Sequence, residues 1–168
     1  VELSFKGDGG NWLIGERTPG FSTTSPLRSL ADPNLRDANG QSMFNRNARF
    51  SLANRGQPDH YSEVLTPNDF ICGSTAYNDN GCVHFNSGIL NKFAYLIAEG
   101  GTHRGVTVRG IGRTKLGRIT YRAMTVGLNR SSTLPHAANA FVEGCFELAS
   151  GGIAGLTPQD CEQVMASQ

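Results

Sequence analysis

The sequence predicts a mainly α protein, in which an irregular, loop-rich first half precedes a bundle of about four to five helices. The first half, to about Val83, lacks regular apolar spacing and carries turn signals at Thr18-Pro19-Gly20, Asp32-Pro33 and Thr66-Pro67-Asn68. In the second half, apolar residues recur at the spacing of amphipathic helices. The 168 residues are enough for one domain with a substantial core.

The helices of the second half can be placed in order. Apolar residues at helical spacing predict a first helix around 89–97, which Gly100-Gly101 can end through a left-handed cap. Residues 106–111 alternate enough to predict a short extended segment. A second helix is expected over 116–128, although Gly117 weakens it, and a third over 137–148.

A fourth helix is predicted to begin at Thr157, because this capping residue precedes Pro158 and the early carboxylate of Asp160. Its pattern is expected to continue to Gln168. Since the chain also starts at Val1 without a methionine, we expect it to be a single domain, 1–168, excised from a longer protein.

Composition limits the classes of partner. Hydrophobic residues make up 38% of the chain and charged residues 17%, and the 21 glycines predict many turns in a globular protein. The net charge of +1 gives no reason to expect nucleic acid or an anionic membrane as a partner. No apolar run approaches the length of a membrane span.

Four cysteines fit two local disulfides better than a metal site. Three pairings are possible, and sequence proximity selects Cys72 with Cys82 and Cys145 with Cys161. A zinc site is the alternative, but no Cys-x-x-Cys occurs and the spacings are not those of a structural zinc module. Because disulfides persist in oxidising compartments, we expect a secreted or periplasmic protein.

Asp79 and His84 form the most informative pair, five residues apart and just before a predicted helix. A carboxylate beside a ring nitrogen fixes the histidine tautomer and favours the protonated form, which is a strong donor to a developing oxyanion. The structural alternative is an Asp-Asn-Gly turn followed by a helix cap at Asn86 or Ser87.

The blocks around this pair occur in a distinctive order along nearly the whole chain. They begin with Trp12-Leu13-Ile14-Gly15-Glu16, Leu27-Arg28-Ser29 and Pro58-Asp59-His60-Tyr61, and they continue through 78–92, 94–103, Gly110-Ile111-Gly112-Arg113, Lys115-Leu116-Gly117 and Tyr121-Arg122-Ala123. This order resembles the C-terminal domain of the thermolysin-like zinc metallopeptidases, the M4 family. Ordered blocks of this length are far more specific than one short motif.

The resemblance implies roles for four residues. His84 would donate a hydrogen bond to the oxyanion of the tetrahedral intermediate, and Asp79 would orient and charge it. Arg28 matches the arginine that binds the substrate carbonyl on the leaving-group side, and Leu27 matches a residue of the hydrophobic pocket beyond the scissile bond. Taken alone, Arg28 would be read as a surface residue and Leu27 as a buried one.

Zinc in this family is held by the two histidines of His-Glu-x-x-His and by a later glutamate. This chain contains no such motif, and its four histidines are spaced too widely for one. The resemblance therefore implies that the zinc ligands and the catalytic glutamate lie in an upstream domain of the same polypeptide, and that the isolated chain does not hydrolyse peptides. The other histidines, His60 and His103, are expected to be structural, and His136 to be exposed.

Calcium is a further family property that this chain matches only in part. Glu2, Asn11 and Glu16 fall where the family places calcium-binding oxygens, but Asn11 and Leu13 each replace an acid. Lost carboxylates weaken a calcium site, so calcium on this chain is possible but doubtful.

Two other interpretations remain open. A non-catalytic binding module could have kept the fold and lost the enzyme, although a module has no physical need for Asp79, His84 and Arg28 together. An independent metal-binding domain built from His84 and the cysteines would require free thiols. Residues 34–57, which are rich in Asn and Arg, form an insertion relative to the family, and a solvated surface loop is expected there.

Overall fold

The computed structural model describes residues 10–15, 26–36, 56–69, 72, 79 and 81–168. These residues belong to two compact units, one containing Gly10 and Phe93–Gln168 and the other lying within Asn11–Lys92. Nearly all of the regular secondary structure of the described residues comes after residue 82, so the predicted mainly α fold with a loop-rich first half is confirmed.

Four α-helices occur among the described residues: α1 (Val83–Glu99), α2 (Arg113–Arg122), α3 (Leu134–Ser150) and α4 (Pro158–Ala166). Strands β1 (Leu13–Ile14) and β2 (Arg28–Ser29) pair in antiparallel fashion, as do β3 (Gly100–His103) and β4 (Val106–Arg109). No helix in the described part of the chain is long and apolar enough to cross a membrane.

Helix α1 begins earlier than expected. It starts at Val83, so His84 lies in its first turn rather than before it. The Asp79 carboxylate accepts a hydrogen bond from the His84 backbone N–H at 2.9 Å, which satisfies one of the donors that a helix N-terminus leaves unpaired. The alternative of a helix cap at Asn86 or Ser87 was wrong, because both residues lie within α1.

A hairpin follows α1 directly. The extended segment predicted over 106–111 is present as β4, whereas its partner β3 was missed because a glycine pair was read only as a helix end. Gly100 has φ +76°, and a Cβ there would lie 2.5 Å from the Gly110 nitrogen. Arg104 and Gly105 both have positive φ, as a two-residue hairpin turn requires.

The unit that contains α2, α3 and α4 is built around a helical core. Ile97, Ile119 and Val164 are fully buried, and the rings of Phe93 and Phe141 meet edge to face at 5.4 Å. The Cys145–Cys161 disulfide joins α3 to α4, as predicted.

Helix α2 starts at Arg113, three residues before the predicted start at Leu116, and the α-helix ends at Arg122. Residues 123–127 form a π-helical turn, in which the Leu128 N–H donates to the Ala123 carbonyl at 2.9 Å. Gly117 does not interrupt α2, and a Cβ added there would meet no atom within 4 Å.

Both later helices begin at threonine caps. Thr133 caps α3, which starts three residues before the expected position, and Thr157 caps α4 through a reciprocal hydrogen-bond pair with Asp160, as predicted. The expectation that α4 continues to Gln168 was wrong. It ends at Ala166, where the Ser167 hydroxyl donates to the Val164 carbonyl at 2.7 Å and replaces the next helical hydrogen bond.

Candidate functional site

Asp79 and His84 meet as expected, within the unit Asn11–Lys92. One oxygen of the Asp79 carboxylate accepts the backbone N–H of His84, and the other pairs with His84 Nδ1. The carboxylate side chain is only 5% exposed, so it is held in place by burial as well as by its two hydrogen bonds. Asp79 therefore fixes both the position of the His84 backbone and the rotation of its ring.

The His84 imidazole itself is open to solvent. Its side chain is 75% exposed, although its Nδ1 faces the buried carboxylate. This hydrogen bond assigns a proton to Nδ1 and leaves Nε2 as the nitrogen that can reach a ligand. When Nε2 also carries a proton, this exposed and oriented ring can donate a hydrogen bond to an incoming group.

A small core supports the first turn of α1. The predicted Cys72–Cys82 disulfide is present, and both sulfurs are buried in a cluster with Leu65 and Phe85. The Asn86 side chain accepts from the Leu65 N–H at 2.9 Å and donates to the Leu65 carbonyl at 2.8 Å. This paired amide contact imitates a β-ladder and fixes the loop beside the turn that carries His84.

Arg28 on β2 reaches the same turn. Its Nη2 donates to the His84 carbonyl at 3.3 Å, and its Nη1 donates to the Leu27 carbonyl at 3.0 Å. Burial lowers the pKa of the Arg28 guanidinium from its ordinary value, while the negative charge of Asp79 acts in the opposite direction. The guanidinium remains a cation at neutral pH, because arginine is not deprotonated in proteins.

Gln57 is a member of this group that sequence reasoning missed. Its buried amide oxygen accepts from Arg28 Nε and Nη1 at 3.2 Å each. The opposite amide orientation would give one long contact, 3.4 Å from Nε2 to the His84 carbonyl, and would set an NH2 group against two N–H donors of a cation. We therefore assign the oxygen to the Arg28 side.

The signal that could have found Gln57 is its place directly before the Pro58-Asp59-His60-Tyr61 block. No local spacing connects Gln57 with Arg28, because they meet only after the chain has folded.

Leu27 lies beside Arg28 and is 41% exposed, contrary to its reading as an ordinary buried leucine. An exposed apolar side chain next to a half-buried cation can contact an apolar ligand group. A cleft of about 410 Å³, with Gln57 in its lining, lies within the same unit. Its described lining residues are Asn34, Arg36, Gly56, Gln57, Pro58, Ser62, Glu63 and Leu65.

Two predictions concern residues that lie wholly or partly outside the described part of the chain. Glu2 and Glu16, expected near calcium, are outside them, and the Asn11 side-chain oxygen accepts from the Leu13 N–H at 3.2 Å. Of the insertion, the structure describes only the two ends, which meet where the Gly56 N–H donates to the Asn34 side-chain oxygen at 3.0 Å.

The remaining histidines have local roles. His60 Nδ1 accepts from the Ser62 N–H at 3.1 Å, and His136 Nδ1 accepts from the Thr133 N–H at 3.4 Å at the start of α3. His103 lies in β3. All four cysteines are in disulfides, so the hypothesis of a metal site built on free thiols was wrong.

Comparison with known families agrees with this geometry. The family model described as the thermolysin metallopeptidase α-helical domain matches residues 2–153. The chain belongs to the thermolysin metallopeptidase family. The match includes Arg28, Gln57, Asp79 and His84.

Individual relatives of the thermolysin family support this assignment. The chain is 43% identical to bacillolysin of Bacillus cereus over 140 residues, which are 82% of this chain and 20% of that protein. It is 38% identical to thermolysin of Alicyclobacillus acidocaldarius over 156 residues, 92% of this chain and 22% of that protein. It is 48% identical to bacillolysin of Brevibacillus brevis over 120 residues, which are 70% of this chain and 17% of that protein. The chain thus spans about a fifth of the length of these relatives.

Proposed function

We propose that this chain supplies one wall of the active site of a secreted zinc metalloendopeptidase. Membership of the thermolysin metallopeptidase family supports the class of reaction. The arrangement of His84 on a buried carboxylate supports the role of this part of the protein, and it is the observation on which the proposal mainly depends. The substrates would be peptides or proteins cleaved at internal bonds.

In this proposal His84 stabilises the tetrahedral intermediate. Attack on a peptide carbonyl places negative charge on its oxygen, and a fixed N–H donor lowers the energy of that state more than that of the substrate. The exposed edge of His84 can approach such an oxygen, and Asp79 holds the orientation of the ring. Removing one donor of this kind costs about 100-fold to 1000-fold in turnover.

Arg28 and Leu27 would bind the substrate on the leaving-group side. A guanidinium held by carbonyl and amide acceptors keeps its direction when a substrate carbonyl arrives, so little ordering entropy is lost on binding. The exposed Leu27 side chain would contact the apolar side chain that follows the scissile bond. We therefore expect a preference for an apolar residue at that position.

The zinc would be bound elsewhere. No group of three or more His, Cys, Asp or Glu side chains in the described part of the chain is arranged to hold a metal ion. We propose that the zinc ligands and the catalytic glutamate belong to an upstream domain of the same polypeptide. The chain's own residues would then bind the substrate and stabilise charge, without touching the metal.

An extracellular or periplasmic location fits the covalent structure. Disulfides Cys72–Cys82 and Cys145–Cys161 would be reduced in most cytosols, whereas oxidising compartments preserve them. Secretion also agrees with an enzyme that acts on other proteins.

The proposal is tested by His84→Ala in the longer protein that contains this chain. We expect kcat/KM for a peptide substrate to fall by about 100-fold to 1000-fold while the bound zinc, measured by elemental analysis, is unchanged. His136→Ala removes another exposed histidine and is the matched control, with kcat/KM expected to stay within about twofold. Loss of zinc in His84→Ala, or unchanged turnover, would overturn the assignment.

A further inference from the structure

The Arg28 guanidinium is held on several sides by the folded chain. An arginine has five N–H donors. The Leu27 carbonyl accepts a hydrogen bond from Nη1, and the His84 carbonyl accepts one from Nη2. The Gln57 side-chain oxygen accepts two more, from Nε and from the second N–H of Nη1. Within the described residues, these four contacts leave one Nη2 donor for a substrate carbonyl.

Gln57 provides two of the four contacts, and it is itself firmly placed. Its side chain is buried, and its backbone N–H donates to the Pro33 carbonyl at 3.0 Å. The next segment lies directly on α1 at Gly88, where an added Cβ would be 2.4 Å from the Pro58 carbonyl and 2.9 Å from Gln57 Cβ. The acceptor for Arg28 is therefore part of a closely packed frame, and not an adaptable surface side chain.

The chemistry of the amide matters as well as its position. A carboxylate at this place would orient the guanidinium but would also compete electrostatically with the weak dipole of a peptide carbonyl. A neutral amide oxygen directs the N–H groups and leaves the positive charge available to the ligand. The negative charge of Asp79 already acts on Arg28, but both oxygens of its carboxylate form hydrogen bonds with His84.

We propose that Gln57 is a positioning residue, which aligns Arg28 so that its remaining Nη2 donor points at the substrate carbonyl. This inference rests on the proposed function, in which Arg28 binds the substrate. The Gln57 side chain links the end of the insertion to Arg28, because Gln57 is the last residue of that segment.

The test uses three variants of the longer, zinc-loaded protein. Gln57→Met keeps the length of the side chain but removes the acceptor, and Gln57→Glu restores an acceptor oxygen. We expect Gln57→Met to raise KM and lower kcat/KM by about tenfold to 100-fold, since small misalignments of a binding group have effects of this size. Gln57→Glu should recover part of this loss, because its oxygen aligns the guanidinium while its charge competes with the substrate carbonyl. A merely structural role for Gln57 would not predict recovery by the charged variant.

Gln163→Met is the matched control, because it makes the same chemical change at a glutamine whose oxygen accepts the Arg109 N–H at 2.8 Å. Its kcat/KM should stay within about twofold of the wild-type value. If Gln57→Met does not fold, Gln57→Asn replaces it. The shorter amide should then lower kcat/KM more than Gln57→Glu does, and wild-type kinetics for Gln57→Asn would overturn the inference.

A double-mutant cycle separates this inference from the proposed function. In an Arg28→Ala background, Gln57→Met should cause no further loss of kcat/KM, because its effect passes through Arg28. Wild-type kinetics for Arg28→Ala alone would overturn the proposed role of Arg28. A harmful Arg28→Ala combined with an additive or absent effect of Gln57→Met would overturn only the role of Gln57.

Discussion

At the scale of single residues, Asp79 performs two tasks that are normally divided between residues. One oxygen serves the first turn of α1 and the other serves the His84 ring. The same buried carboxylate thus serves the start of α1 and, in the proposed function, orients the catalytic histidine. Substitutions at Asp79 can separate the two tasks, because an amide keeps one acceptor oxygen and alanine keeps none.

We expect Asp79→Asn to retain the contact with the His84 N–H and to lose most of the charge stabilisation of the ring. Its kcat/KM should fall by about tenfold to 100-fold with little change in the free energy of unfolding. Asp79→Ala should show a comparable loss of kcat/KM and a further loss of about 1–2 kcal/mol of stability. Kinetics and denaturant unfolding on both variants check this. Equal stability of the two would show that Asp79 is not a helix cap.

The sequence was most informative at this scale where partners are close along the chain. Asp79 and His84 are five residues apart, and each disulfide closes a short loop, so proximity and residue type sufficed to pair them. Gln57 was missed because its partner Arg28 lies in a different strand-and-loop segment. Only the folded chain brings the two side chains together.

At the scale of elements, Gly88 and Gly117 are two helical glycines in different surroundings. The Gln57–Pro58 segment packs against α1 at Gly88, whereas Gly117 in α2 has open space around its Cα. Hydrophobic periodicity predicted both helices. It could not show that Gly88 is required for close packing and Gly117 is not, because this depends on the segment packed against the helix.

We expect Gly88→Ala to lower the free energy of unfolding by roughly 2 kcal/mol or more, since its Cβ would overlap the Pro58 carbonyl. Gly117→Ala should instead raise it by about 0.5–1 kcal/mol, because alanine is the better helix former. Chemical denaturation of the two variants measures the difference. Similar stabilities would mean that the segment moves away from α1 without cost.

Asp160 connects three elements through one buried carboxylate. It caps α4 with Thr157, accepts from Lys115 Nζ on α2 at 2.7 Å, and pairs with Arg109 on β4. Burial alone would raise the pKa of Asp160, but the hydrogen bonds from Lys115 and Thr157 outweigh it and hold the pKa below its ordinary value.

The lowered pKa determines how stability depends on pH. The ionised Asp160 carboxylate contributes fully to the free energy of unfolding above the ordinary aspartate pKa of about 3.9. This contribution is lost as the pH falls through the lower pKa that Asp160 has in the folded state. Asp160→Asn should therefore cost about 1–3 kcal/mol at neutral pH. The difference in free energy of unfolding between Asp160→Asn and the wild type should shrink below about pH 4. Unfolding curves at both pH values test this, and a constant difference would contradict it.

At the scale of the whole molecule, we propose that the chain supplies substrate-binding residues and that the zinc ligands lie in another domain. We expect the isolated 168-residue chain to show no zinc-dependent cleavage of casein. The longer protein, assayed in parallel with the same zinc concentration, is the positive control. Robust cleavage by the isolated chain would show that the catalytic centre lies within these residues.

The sequence predicted the fold class, most helices and the central pair, because each depends on local pattern or on blocks that match a family. It placed the start of α1, the end of α4 and strand β3 incorrectly. Side-chain hydrogen bonds act at two of these places, through the Asp79 carboxylate at α1 and the Ser167 hydroxyl at α4, whereas β3 was missed because Gly100-Gly101 was read only as a helix end.

The central claim is that His84 stabilises the transition state more than the substrate. The most direct measurement is the affinity of a tetrahedral phosphonopeptide, a mimic of the intermediate, for the wild-type longer protein and for His84→Ala. We expect the Kd of the phosphonopeptide to rise by about the same factor, 100-fold to 1000-fold, by which kcat/KM falls. An unchanged Kd together with reduced kcat/KM would contradict it.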